Sequence, residues 1–123
     1  MKIKDLRNKL NNNVTTIGGW IQTNSADNVN LISSCDLFDW VVIDLEHGSI
    51  SNSDLPNLIN AIKLNNKIPL VRIPEISKLY ISRVLDAGFD GIILPNLKSL
   101  SEFESVSDYF YYPPKGKRGV GYS

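Results

Sequence analysis

His47, the sole histidine of the chain, stands near the end of the run WVVIDLEHG, residues 40–48. Four apolar side chains lead into Asp44, Glu46 and His47. An imidazole can take or give a proton near neutral pH. A carboxylate close to it raises its basicity. Further along, Arg72 interrupts the apolar stretch PLVRIP, residues 69–74. A guanidinium there can hold a carboxylate or a developing oxyanion. These residue types together describe proton transfer beside a charge-stabilising cation.

Each residue also has a plainer reading. His47 reads equally well as a loop histidine without a role. Arg72 is either a buried cation, which needs a partner, or a strand-end residue whose side chain reaches solvent. Asp44 can cap the next turn, and Glu46 can be an exposed charge. Asp86 lies in VLDAG at a helix end, where the helix dipole disfavours a carboxylate, yet idle surface aspartates are common. GKRGVG (116–121) lacks the Ser or Thr that a phosphate loop needs after Gly-Lys, and no strand precedes it. Lys117 and Arg118 therefore read as a solvated basic loop that could contact an anion. Trp20 and Trp40 read as core. Cys35, the only cysteine, reads as a helix-packing residue, and no paired Cys/His spacing marks a metal site.

The elements that position these residues follow from periodicity. Ile3, Leu6 and Leu10 share a helical face in IKDLRNKL, and Asn11–Asn13 break it. Strands are expected at 15–22, 40–44, 67–74 and 91–95. Helices are expected at 25–35 capped by Ser25, at 51–66 capped by Ser53, at 77–88, and at 99–110 capped by Ser99 or Ser101. The third of these carries Leu79, Val84 and Leu85 on its period and stops at Gly88. Residues 111–123 read as loop. Apolar strands alternating with helices predict an α/β fold with a parallel sheet. In such folds ligands bind at the C-terminal ends of the strands. Gln22, Thr23 and Asn24 leave the first strand there, Asp44, Glu46 and His47 the second, Arg72 the third, and Pro95 and Asn96 the fourth.

The 123 residues suit one domain, with 42% hydrophobic and 21% charged side chains. Thirteen basic and thirteen acidic residues cancel, so no bulk field recruits nucleic acid or an anionic membrane. A lone cysteine forms no intrachain disulfide and fits a reducing compartment. The N-terminus is too charged for a signal peptide, and no apolar run approaches a membrane span. A cytoplasmic protein is expected. The spacing of the strands is that of a (β/α)₈ barrel, but a full barrel needs about 250 residues.

The segments GGWIQ, FDWVVIDLEHG, PLVRIP, RVLDAGFDGIILP and YYPPKGKRGVGYS, in this order, resemble the N-terminal half of the HpcH/HpaI aldolase family, class II metal-dependent pyruvate aldolases. The resemblance implies about four of the eight units of a (β/α)₈ barrel after a short N-terminal helix, with residues 1–123 as a single domain. It implies reversible cleavage of a 4-hydroxy-2-oxo acid to pyruvate and an aldehyde. On this reading His47 matches the catalytic base, Arg72 the arginine that stabilises the enolate, and Asp86 the acid that raises the histidine's basicity. Asp44 and Glu46 match acids beside the site, and Trp20 is placed with them on the substrate side. Asp86 sits at the far end of its helix, so any action on a histidine is expected from a neighbouring subunit. The family's Mg²⁺ or Mn²⁺ is held by a Glu and an Asp on later strands, beyond residue 123. The expectation is a fragment without metal ligands, inactive alone, and homo-oligomeric in its full-length form. Two alternatives stay open. One is a non-catalytic half-barrel that pairs with itself or with a separate C-terminal half. The other is a free-standing α/β module that grips a small carboxylate.

Overall fold

The computed structural model describes residues 1–121. Helix α1 (Ile3–Asn11) precedes four strand–helix units: β1 (Gly18–Ile21) with α2 (Ala26–Ser33), β2 (Trp40–Asp44) with α3 (Leu55–Leu64), β3 (Ile68–Arg72) with α4 (Lys78–Ala87), and β4 (Gly91–Ile93) with α5 (Leu100–Ser107). A 3-10 turn, Asp108–Phe110, follows α5. The four strands form one parallel sheet in the order β1-β2-β3-β4, the arrangement expected for half of a (β/α)₈ barrel.

Local chemistry fixes most helix ends. Ser25, Ser77 and Ser99 accept hydrogen bonds from the backbone amides three residues on, satisfying donors that the first helical turn leaves free. Gly88 ends α4 with φ at 105°, a left-handed conformation that a side chain resists. Two local expectations fail. The N-cap of α3 is Asp54, not Ser53; the Asp54 carboxylate accepts from the amide and hydroxyl of Ser51. The buried face of α4 carries Ile81 and Val84, while Leu79 is exposed. Ile81 stands three and four residues before Val84 and Leu85 and shares their face, whereas Leu79, two residues before Ile81, points to the opposite side of the helix. Strands β1 and β4 are shorter than their apolar runs, because hydrogen bonding to the neighbouring strand covers only part of each run.

Alternation along the strands divides the sheet into two faces. Ile21, Val41, Ile43, Val71 and Ile73 join Val29, Leu58, Ile62, Ile81 and Val84 of the helices in the main core. The other parity places Trp20, Trp40, Val42, Asp44, Leu70 and Arg72 on the face away from that core. Helix α1 crosses the N-terminal end of the sheet. Its Lys9 bonds Asp39 at 2.6 Å and the Met1 ammonium donates to the Asn66 carbonyl at 2.8 Å. Only Leu6 of its apolar face is fully buried; Leu10 is exposed. Trp20 is exposed as well, at 44%, so it is not the core residue that its size implies. No helix among the described residues is long and apolar enough to cross a membrane.

Candidate active site

The candidate residues gather where β2 and β3 end. Asp44 and Arg72 are the last residues of their strands and stand directly opposite each other in the parallel pairing, with Ile93 of β4 level with them. Both side chains therefore leave the sheet on the same face. Gln22, one residue past β1, reaches the same layer.

Asp44 is fully buried, and its carboxylate accepts six hydrogen bonds. Oδ1 accepts from Arg72 Nε at 3.0 Å and from the amides of Glu46 and His47 at 3.0 and 3.3 Å. Oδ2 accepts from Arg72 Nη2 at 2.7 Å, Gln22 Nε2 at 2.8 Å and Trp20 Nε1 at 3.2 Å. Burial alone would raise its pKa. The donors from Arg72, Gln22, Trp20 and the His47 amide more than reverse that, and hold the carboxyl well below the usual carboxylate range. Asp44 does cap the turn after β2, as an aspartate at a strand exit can. It also neutralises a cation and ties three strands' ends together.

Arg72 is held on three sides. Asp44 grips it through two parallel N–H···O bonds, Glu46 Oε2 lies 3.1 Å from Nε, and the Trp20 ring stands 5.1 Å from its central carbon. The contacts use Nε and Nη2 and leave Nη1 without a protein acceptor among the described residues. Arg72 is thus the paired cation of the two sequence alternatives, with a side chain that still reaches solvent.

His47 sits on the turn beyond Asp44, with its side chain 64% exposed and Nε2 3.8 Å from Glu46 Oε1. Glu46 lies between His47 and Arg72 and touches both. The turn is tight at Gly48. A side chain there would run into the Asp44 carbonyl and the backbone of Gln22, so glycine is required by close approach.

Asp86 is not part of this cluster. It lies in the last turn of α4, which runs from the exit of β3 back toward the opposite end of the sheet. Its Oδ1 accepts from Arg118 Nη2 at 2.7 Å, and its side chain is 61% exposed. Arg118 itself corrects the reading of GKRGVG as a solvated loop. Its side chain is only 12% exposed, its central carbon lies 4.4 Å from the Tyr112 ring, and its amide bonds the Tyr111 carbonyl. Lys117 does stay in solvent, paired with Asp108 at 2.7 Å. The rest of the 111–123 stretch is coil as far as Gly121; its final two residues lie outside the described ones.

Sequence reasoning missed what Gln22 and Trp20 do. Both were visible at or near the exit of β1. Their shared acceptor two dozen residues away was not, because it depends on which strand lies beside which.

The fold and site define a parallel strand–helix protein with its polar cluster at the ligand-binding end of the sheet. The family description "HpcH/HpaI aldolase/citrate lyase" matches residues 17–122, and the chain belongs to that family. It is 32% identical over 109 residues to a 2-keto-3-deoxy-L-rhamnonate aldolase of Salmonella gallinarum, covering 89% of this chain and 40% of that protein. The crystal structure of an HpcH/HpaI aldolase from Desulfitobacterium hafniense matches with a TM-score of 0.82 and 27% identity, over 94% of this chain and 45% of the other. A citrate synthase structure matches with a TM-score of 0.83 and 32% identity, over 94% and 46%. The chain spans less than half the length of the curated relatives it matches.

Proposed function

We propose that this chain carries the proton-transfer side of a pyruvate-aldolase site, in which a 4-hydroxy-2-oxo acid is cleaved reversibly to pyruvate and an aldehyde. His47 takes the proton of the 4-hydroxyl. The bond between C3 and C4 breaks, the aldehyde leaves, and the electron pair passes into the pyruvate enolate. Arg72 faces the enolate oxygen through Nη1 and offsets its charge, and C3 then recovers a proton. Asp86 acts on the His47 of a neighbouring subunit. The support for this reading is the Arg72 arrangement. A guanidinium fixed by a buried carboxylate, with one nitrogen free beside an exposed imidazole, is oriented before substrate arrives.

Class II aldolases of this family are generally dependent on a divalent metal, for which the resemblance implies Mg²⁺ or Mn²⁺. The residues of this chain do not fit such an ion. Among the described residues no group of three or more His, Cys, Asp or Glu is placed to hold one, and both nearby acids are engaged by Arg72. No step above is routed through a metal.

The test is pyruvate release from a 4-hydroxy-2-oxo acid in the presence of Mn²⁺. It is run on the 123-residue chain and on the chain joined to the C-terminal half of a relative aldolase. The chain alone is expected to release none. The completed barrel is expected to release pyruvate and to lose that activity on His47→Asn or Arg72→Met. Release by the chain alone, or a completed enzyme indifferent to both substitutions, refutes the reading. The free Nη1 also favours a second reading, a carboxylate-binding module. Calorimetry with oxalate on the isolated chain, without metal, separates the two.

A further inference from the structure

We propose that Arg118 is a positioning residue for the aldol reaction: its ion pair with Asp86 aims the carboxylate that acts on the His47 of a neighbouring subunit. This rests on the aldolase reading above, in which Asp86 has that role. Asp86 is awkwardly placed for an idle carboxylate. It stands in the last turn of α4, where the negative end of the helix dipole opposes it, and its side chain is 61% exposed. Its Oδ1 is engaged by Arg118 Nη2 at 2.7 Å, while Oδ2 has no donor among the described residues. One oxygen is thus held and the other is open to a second donor. Lys63, the cation of α3 that reaches the end of α4, bonds the Gly88 carbonyl at 2.9 Å and not Asp86.

The segment 108–118 is wound so that Arg118 can do this. The Lys117 amide donates to the Asp108 carbonyl at 2.7 Å, the Gly116 amide to the Tyr112 carbonyl at 3.0 Å, and the Arg118 amide to the Tyr111 carbonyl at 3.0 Å. A side chain at Gly116 would meet the carbonyls of Asp108 and Tyr111, so the winding is as close as glycine allows. The guanidinium then rests against the Tyr112 ring, 4.4 Å from its centre, with the side chain 12% exposed. Lys115 and Lys117 of the same segment stay exposed. A guanidinium so far out of water needs a carboxylate, and Asp86 is the one it meets. Because the cation is fixed by its own loop, the carboxylate takes its direction from Arg118 and not the reverse. A pair of two freely moving surface side chains would give no such direction.

The experiment is NMR titration of the His47 imidazole in the completed barrel described above, with Mg²⁺ present, the signal being identified by its loss in His47→Asn. A carboxylate beside an imidazole raises its basicity, so Asp86→Asn is expected to lower the titration midpoint. Arg118→Met is expected to lower it as well and to add nothing in the Asp86→Asn background. It is also expected to cut kcat/KM for pyruvate release about tenfold, less than the roughly 10²–10⁴-fold that a general base contributes. The direction of the shift is diagnostic. A guanidinium felt only as a distant positive charge would hold the midpoint down, and its removal would raise it. The charges nearest His47 within its own chain, Glu46 at 3.8 Å and Arg72 beyond it, are the same in every variant. Should Arg118→Met not fold, Tyr112→Leu unseats the guanidinium while keeping its charge, and is expected to lower the midpoint too. A midpoint that rises or stays in the folded variant, while Asp86→Asn still lowers it, overturns the proposal and leaves the role of Asp86 standing. If Asp86→Asn shifts nothing, the role of Asp86 fails and this proposal with it.

Discussion

Replacing Asp44 with asparagine removes charge and one acceptor while keeping shape, so it isolates what the carboxylate does. Each oxygen of Asp44 now accepts three N–H groups. The substituted asparagine would keep one oxygen and turn an amide N–H₂ toward the three donors at the other. If the retained oxygen faces the Glu46 and His47 amides, the lost acceptor is that of Arg72 Nη2, Gln22 and Trp20. Two neutral hydrogen bonds at about 1 kcal/mol each and one to a charged group at about 2 kcal/mol sum to about 4 kcal/mol. Water reaching Arg72 and the exposed Trp20 recovers part of this, which leaves about 3 kcal/mol. The assay is urea unfolding of Asp44→Asn at fixed protein concentration, because any association would add its own dependence. The same measurement on Arg72→Met and on the double variant completes a cycle. The double variant should cost less than the two single costs combined, because the second substitution removes a cation that the first had left unpaired. A single Asp44→Asn cost below about 1 kcal/mol, or strict additivity in the cycle, refutes the view of Asp44 as the hub of this site.

Acid should act on the same group. The folded-state pKa of Asp44 is depressed, so its contribution is complete above the unfolded carboxylate value of about 3.9 and is lost as pH falls from there toward the lower folded value. Asp39, lowered mainly by its hydrogen bond from Lys9, has the same sign, so the difference between wild type and Asp44→Asn across pH 5 to 2, about the range in which carboxylates titrate, isolates Asp44; parallel curves would contradict it. Gly48→Ala forces a methyl group against the Asp44 carbonyl and should cost about 1–3 kcal/mol in urea unfolding, whereas a neutral result would mean that the turn relaxes freely. In the completed barrel, a mixture of His47→Asn and Asp86→Asn subunits should regain activity that neither variant has alone; mixing that restores nothing removes the role of Asp86 across subunits.

The elements were legible where a signal is local. Serine before a helix, glycine after one and an unbroken apolar run each act within a few residues, and they located α2, α4, α5 and the four strands. The placement of Asp44, Glu46, His47 and Arg72 at one end of the sheet was legible too, because parallel strands share a direction. What stayed hidden depends on partners remote in sequence or on contacts between near neighbours. Ser53 and Asp54 are adjacent, and the helix starts after Asp54, whose carboxylate is turned back to Ser51 and not onto a helix amide. Arg118 looks like a loop cation until Asp86, 32 residues earlier, is placed beside it. Gln22 could be placed at the exit of β1, but its acceptor Asp44 emerges only when β1 is laid against β2.

The opposition of Asp44 and Arg72 has a consequence for how the chain folds. Shift β2 by one residue along β3 and the carboxylate turns to the helix side, into the apolar core, with no cation to meet it. Shift it by two and Asp44 comes level with Leu70 or Pro74, again without a donor fork. Every apolar residue of VVI tolerates such sliding well enough, since Val41, Val42 and Ile43 are near equivalents. The ion pair does not. A misaligned sheet would therefore carry the cost of a stranded charge that the native register does not.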